Sequence, residues 1–153
     1  MFPNRYQVCR FSRVFARPNQ SVGQAGRVST AAVALVHMCG MQDWSRARER
    51  GGIDPADADA AAPFIHLSTP QQVHLPANRL YRGRTDLVLL HIDPALLDSP
   101  VRWEPGVATD PDSMLFPHLY GRLPVAAVTQ VTAYRPGPDG TFPPLAEAHG
   151  PAR

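Results

Sequence analysis

The sequence contains no lysine: all 15 basic residues are arginine, beside 17 prolines and abundant alanine. That bias is what GC-rich coding produces, so the arginines by themselves do not argue for a nucleic-acid partner. Cysteine is nearly absent, and Cys9 and Cys39 form no CxxC, which excludes a disulfide framework and a sulfur-ligated zinc site and points to a reducing, cytoplasmic setting. No apolar run approaches the roughly 18 residues of a membrane span, so no membrane partner is expected. Also missing are the HExxH, GxSxG, GxGxxG and P-loop spacings that announce common chemistries. What remains is a chain of 153 residues, 44% hydrophobic, with a mean hydropathy of −0.22. That is enough for one ordinary globular core.

Charge divides the chain unevenly. Residues 1–32 carry Arg5, Arg10, Arg13, Arg17 and Arg27 and no acid, whereas every Asp and Glu lies beyond them. This stretch has no helical apolar stripe and no secretory apolar segment. It is expected to be a disordered basic extension, read as upstream of the true start, with an anion-touching arm and an organelle presequence as the other readings. Core-like patterning begins at Val33. Residues 136–153 are rich in proline and glycine and too poor in apolar groups to offset their ordering entropy. A disordered tail is expected there, in which only Phe142 and Leu145 could dock, leaving residues 33–135 as the domain.

Within the domain, Val33–Cys39 reads as a strand that leads into a helix with Met41, Trp44 and Ala47 on one face and Gly51-Gly52 as its stop. A polar, alanine-rich loop holding Asp54, Asp57 and Asp59 precedes a short strand, Phe64–Leu67. Thr69, Pro70 and Gln72 then form a capping box ahead of a helix that buries Val73, Ala77, Leu80 and Tyr81. Pro76 lies two turns into that helix and predicts a kink or break. Asp86–Asp93 has the near-continuous apolar run of a central strand buried on both faces. Val101–Glu104 reads as a strand, Gly106–Ser113 as a flexible loop ahead of Leu115–Gly121, Pro124–Val128 as one helical turn and Thr129–Tyr134 as the last strand. The pattern predicts an α+β domain with a split or bent sheet and two main helices.

Chemistry is carried chiefly by histidines. His37, His66, His91 and His118 fall in core segments; His91 reads as structural and His74 as surface. Trp103, Tyr120 and Phe116 are candidates to line a pocket, and Arg82, Arg84 and Arg102 could form a bidentate phosphate clamp. The segments FIHLST, RWEP and FPHLYG, in that order, closely resemble the bacterial domain-of-unknown-function family 952 over residues 33–134.

That resemblance implies an ADP-ribosyltransferase-like fold, NAD as cofactor and a small-molecule nucleotide partner. In that group a first-strand His or Arg holds the cofactor ribose, and His37 stands at the similar position. An aromatic-Ser/Thr motif, similar to Phe64–Thr69 and including Ser68, stacks on nicotinamide, with His66 where a tyrosine is common. The third motif usually supplies a Glu, whereas FPHLYG offers His118; Glu104 of RWEP would restore a carboxylate if that strand end lies beside His118. The resemblance therefore implies His66, His118 and Glu104 as catalytic and His37, Ser68, Tyr120, Trp103 and Arg82 as cofactor-binding, with no resident metal. The implied reaction is of the glycosyltransferase or NAD-glycohydrolase type. The alternatives are a non-catalytic nucleotide- or partner-binding module of the same fold, or RNA-end chemistry like that of a 2′-phosphotransferase. A histidine pair with Glu104 could also serve a divalent metal, or general acid–base work on a phosphate or sugar.

Overall fold

A computed structural model describes residues 33–112 and 114–145. The basic extension and the last eight residues of the tail lie outside the described residues. The order of elements is β1 (Leu35–Gly40), α1 (Met41–Arg50), β2 (Gly52–Ile53), α2 (Pro55–Ala58), β3 (Ile65–His66), α3 (His74–Leu80), β4 (Leu87–Ile92), β5 (Val101–Pro105), β6 (Leu115–Leu119), β7 (Leu123–Pro124) and β8 (Val128–Tyr134). Single 3₁₀ turns lie at Pro94–Leu96 and Val125–Ala127.

The strands form two antiparallel three-stranded sheets, β1-β4-β8 and β3-β6-β5, and a small β2-β7 pair. The α+β class, the two main helices and the split sheet expected from the sequence are all present. As its apolar run predicts, β4 is the central strand of its sheet and is buried on both faces: Val88, Leu90 and Ile92 enter one core cluster, Leu87 and Leu89 the other. The first cluster joins this sheet to Ile65 and Leu119 of the second sheet and to Trp44 and Ala47 of α1.

The split occurs within a few residues. Ile65 and His66 pair with β6, yet two residues later Ser68 exchanges both backbone hydrogen bonds with Val36 of β1, at 2.8 and 2.9 Å. One segment thus crosses from sheet to sheet, and it places His66 and Ser68 at the break. Gly51, at φ +80°, closes α1 in the left-handed conformation a helix stop uses.

Five local expectations need correction. Met41 is 48% exposed, because the α1 stripe that packs inward is Trp44 and Ala47 alone. The Thr69 capping interaction closes a separate turn, with Gln72 N–H and Val73 N–H both donating to Thr69 O, and α3 begins only at His74. Pro76 therefore sits in the first turn of α3, where no intrahelical amide donor is required, and causes no break. Leu80 is 65% exposed and takes no part in the apolar face assigned to it.

The fifth concerns residues 136–145, expected as a mobile tail in which only Phe142 and Leu145 could dock: both pack against the body as allowed for, and the residues around Phe142 are tied down with it. Phe142 is buried beside Tyr134, their rings 4.9 Å apart, and its backbone N–H and C=O both bond the Asn78 side chain of α3, at 2.7 and 2.9 Å. Tyr134 Oη donates to Pro143 O, and Gly83 N–H to Gly140 O. One buried ring and four hydrogen bonds offset an ordering entropy that composition alone overstates. Among the described residues no helix is long and apolar enough to cross a membrane.

Candidate functional site

Pairing between β3, β6 and β5 lines up three residues across the second sheet. His66 opposes His118, and His118 opposes Arg102, so the three side chains share one face. Glu104, two residues further along β5, shares that face. Its Oε2 lies 3.0 Å from His118 Nδ1 and accepts a 2.8 Å hydrogen bond from Tyr120 Oη. The β5 strand end thus lies beside His118 and brings a carboxylate to it.

A carboxylate can only accept, so His118 Nδ1 carries a proton toward Glu104. His118 Nε2 is buried and has no hydrogen-bond partner. Phe64 stacks on the His118 ring at 4.1 Å with the planes 10° apart, and His66 meets it edge-on at 5.0 Å. Arg102 lies over the Tyr120 ring, 4.6 Å from its centroid. Hydrogen bonds from His118 and then Tyr120 hold the Glu104 carboxyl below its ordinary range, and Glu104 in turn pushes the Tyr120 hydroxyl up. The carboxylate is therefore ionised at any physiological pH.

On the other side of His66 a cleft of about 740 Å³ runs along α1 between the two sheets and α3. His37, His66 and Ser68 line it at the sheet break; Asp59 borders it from the segment after α2, and Tyr81 and Arg84 from the turn after α3. His37 Nδ1 lies 2.8 Å from His66 O and donates to it, which fixes the His37 proton on that nitrogen. Burial lowers the His37 imidazole below its usual value, and burial followed by the neighbouring His118 lowers His66. Both rings are therefore neutral at pH 7, and His66 joins the cleft to the His118–Glu104 pair.

Of the expected catalytic residues, His66, His118 and Glu104 are brought together. Among the expected cofactor-binding residues, His37 and Ser68 line the cleft and Tyr120 belongs to the Glu104 cluster. Trp103 and Arg82 are not brought in. Trp103 lies between Arg102 and Glu104 on an extended strand, so its ring projects from the opposite face and is 42% exposed. Arg82 is exposed on the turn after α3, where Tyr81 and Arg84 form the cleft wall instead.

The arginine clamp does not assemble. Arg84 pairs with Asp86 at 2.6 Å, Arg102 is spent on Tyr120, and the arginine at the cleft's α3 edge is Arg79, paired with Asp110 at 2.8 Å. Phe64, read as a ring for nicotinamide, covers His118. Phe116 lines the cleft, while His91 is 3.0 Å from Thr132 Oγ1 across β4 and β8, the structural role expected of it. His74 is half-buried, with a buried Nδ1 that has no partner, and does not sit on the surface as expected.

Sequence reasoning missed Asp59, whose Oδ2 lies 3.8 Å from His66 Nε2. Nothing in an alanine-rich loop of three aspartates marks one of them as the neighbour of a strand histidine. Among the described residues no group of three His, Cys, Asp or Glu side chains is arranged to hold a metal ion.

The described fold is similar to protein CC0527 from Caulobacter crescentus. Its crystal structure aligns with a TM-score of 0.61 at 28% identity, covering 72% of this chain and 93% of that one. Its solution NMR structure aligns with a TM-score of 0.60 at 29% identity, covering 72% and 91%. No curated protein matches the chain. The model of one family, described as "Protein of unknown function (DUF952)", matches residues 38–131, and the chain belongs to that family.

Proposed function

We propose that the domain is of the ADP-ribosyltransferase-like group, that its cleft takes NAD or a related ADP-ribose nucleotide, and that it cleaves the nicotinamide–ribose bond. The observation that carries this reading is the Glu104–His118 pair beside His66, which itself lines the cleft. A volume of about 740 Å³ falls within the roughly 300 to 1,000 Å³ of sites that enclose small ligands. As the glycosidic bond breaks, its electron pair passes to the pyridinium nitrogen and positive charge develops at the ribose C1′. Glu104 is ionised and stands behind His118 and His66, so its negative field stabilises that charge across the two imidazoles. His66, neutral and half-exposed to the cleft, accepts the proton of the water that adds to C1′, and neutral nicotinamide leaves. Neutral His37 offers the ribose hydroxyls an acceptor.

A binding module without turnover is the second reading. The feature that favours it is Phe64, which covers His118 and leaves Nε2 sealed from solvent. Incubating the full chain with NAD and following free nicotinamide by NMR, together with saturation transfer to the bound dinucleotide, separates the two. Cleavage that His66→Ala and Glu104→Gln reduce by ten-fold or more supports the enzyme. Binding that leaves the dinucleotide intact supports the module. Absence of both removes NAD as the ligand.

A further inference from the structure

His66 lines the cleft and also meets His118 of the His118–Glu104 pair, so what sets its orientation and proton bears directly on the site. Its surroundings come from four elements. His37 on β1 donates to its backbone carbonyl, leaving the ring free. His118 on β6 meets its ring edge-on, with Glu104 and Arg102 of β5 beyond. Phe64, just before β3, packs against it at 4.9 Å, nearly perpendicular. The remaining direction belongs to Asp59.

Asp59 is held for this task by its own turn. Its N–H donates to Pro55 O at the end of α2, its carbonyl accepts from Ala62 N–H, and its Oδ1 accepts from Ala61 N–H at 2.9 Å. These bonds use one carboxylate oxygen and leave the other, Oδ2, directed at His66 Nε2 from 3.8 Å. The neighbouring acids are engaged elsewhere: Asp54 with Arg122 and Asp57 with Arg50. Asp59 alone of the three aspartates in that loop is turned toward a histidine.

We propose that Asp59 is the positioning residue of His66: its free oxygen draws the imidazole proton to Nε2 and leaves Nδ1 as the proton acceptor of the cleft. This rests on the reading of His66 as the acid–base group. In that reading His118 and His66 form two imidazole–carboxylate pairs set edge to face, His118 with Glu104 and His66 with Asp59. The negative charge of Asp59 also raises the proton affinity of His66 against the opposing influences of burial and His118. It thereby keeps the base strong enough to take a proton from water.

The test is a histidine ¹³C/¹⁵N NMR titration of the full chain, comparing wild type with Asp59→Asn and Asp59→Ser. Both variants keep an oxygen for the Ala61 N–H, so the turn survives while the charge is lost. The expected result is a fall in the His66 midpoint of roughly 0.2 to 0.7 of a pH unit, the range set by an exposed pair. A shift of the neutral ring away from the Nε2–H tautomer should accompany it. The His91 resonance, whose ring meets Thr132 across β4 and β8, serves as the control and stays in place. Unchanged His66 midpoint and tautomer in both folded variants would overturn the proposal. The readout needs no nucleotide, so failure of NAD cleavage and failure of Asp59 to govern His66 are separate results.

Discussion

Glu104 on β5 and His118 on β6 are joined through Oε2 and Nδ1 at 3.0 Å, although 14 residues and a loop separate them in sequence. Antiparallel register creates the pair: His118 opposes Arg102, and Glu104 reaches it on the diagonal. The same oxygen accepts from Tyr120, which raises the tyrosine. Replacing Glu104 by Gln removes the charge that opposes phenolate formation. The Tyr120 titration, followed by ultraviolet absorbance against a Tyr120→Phe blank, should then fall toward the ordinary value of 10.0. An unchanged midpoint would mean the three groups are not in contact in solution.

The buried imidazoles give stability a definite pH dependence. His37, His66 and His91 are all lowered from 6.5, in each case chiefly by burial, so the unfolded chain binds protons that the folded one does not. Stability therefore rises with pH across the window from their folded values up to 6.5, and falls on acidification through it. Glu104 acts lower down: its contribution is complete above 4.5 and is lost as pH falls through its depressed folded value. Urea midpoints should decline steadily from pH 7 to pH 5. His37→Gln keeps a donor for His66 O and should make that decline shallower; an equal slope in the variant would show that His37 is not held neutral.

The segment 136–145 lies beyond the family match, which ends at residue 131, yet it braces α3, one wall of the cleft. Phe142 is 2% exposed, and Phe142→Ala should cost about 3 to 5 kcal/mol in urea denaturation. Asn78→Ala leaves the Phe142 N–H and C=O without partners and should cost about 1 to 3 kcal/mol. Because the two changes disrupt one clasp, the double variant should lose less than the sum. A Phe142→Ala effect below about 1 kcal/mol would mean that the segment does not pack against the body.

Elements with local causes could be read from sequence. The apolar run of β4, the Gly51 stop and the RWEP strand each carry their cue within a few residues, and they stand where expected. The convergence of His66, His118 and Glu104 rested on a resemblance and on a strand neighbour that spacing alone does not supply. Trp103 stands apart from the expected site because an adjacent residue on a strand points the other way. Arg82 lies on a turn, where no periodicity assigns direction. Asp59 and the Asn78–Phe142 clasp depend on contacts without any sequence pattern, so only coordinates reveal them.

Cys39 makes a final test of the cleft. It shares a sheet face with His37 and lines the cleft, the position of a reactive thiol. Burial, reinforced by Asp43 and opposed by Arg84, pushes its thiol from 9.0 up to about 12. The nucleophile is the thiolate, so a rise of that size leaves roughly a thousandth of the ordinary thiolate fraction at pH 8. With Cys9 replaced by Ser, iodoacetamide at pH 8 should label the folded chain far more slowly than the chain in urea, on the order of a thousand-fold. Rapid labelling of the folded variant would show that solvent enters behind β1, and it would place the floor of the cleft nearer to Cys39 than to His37.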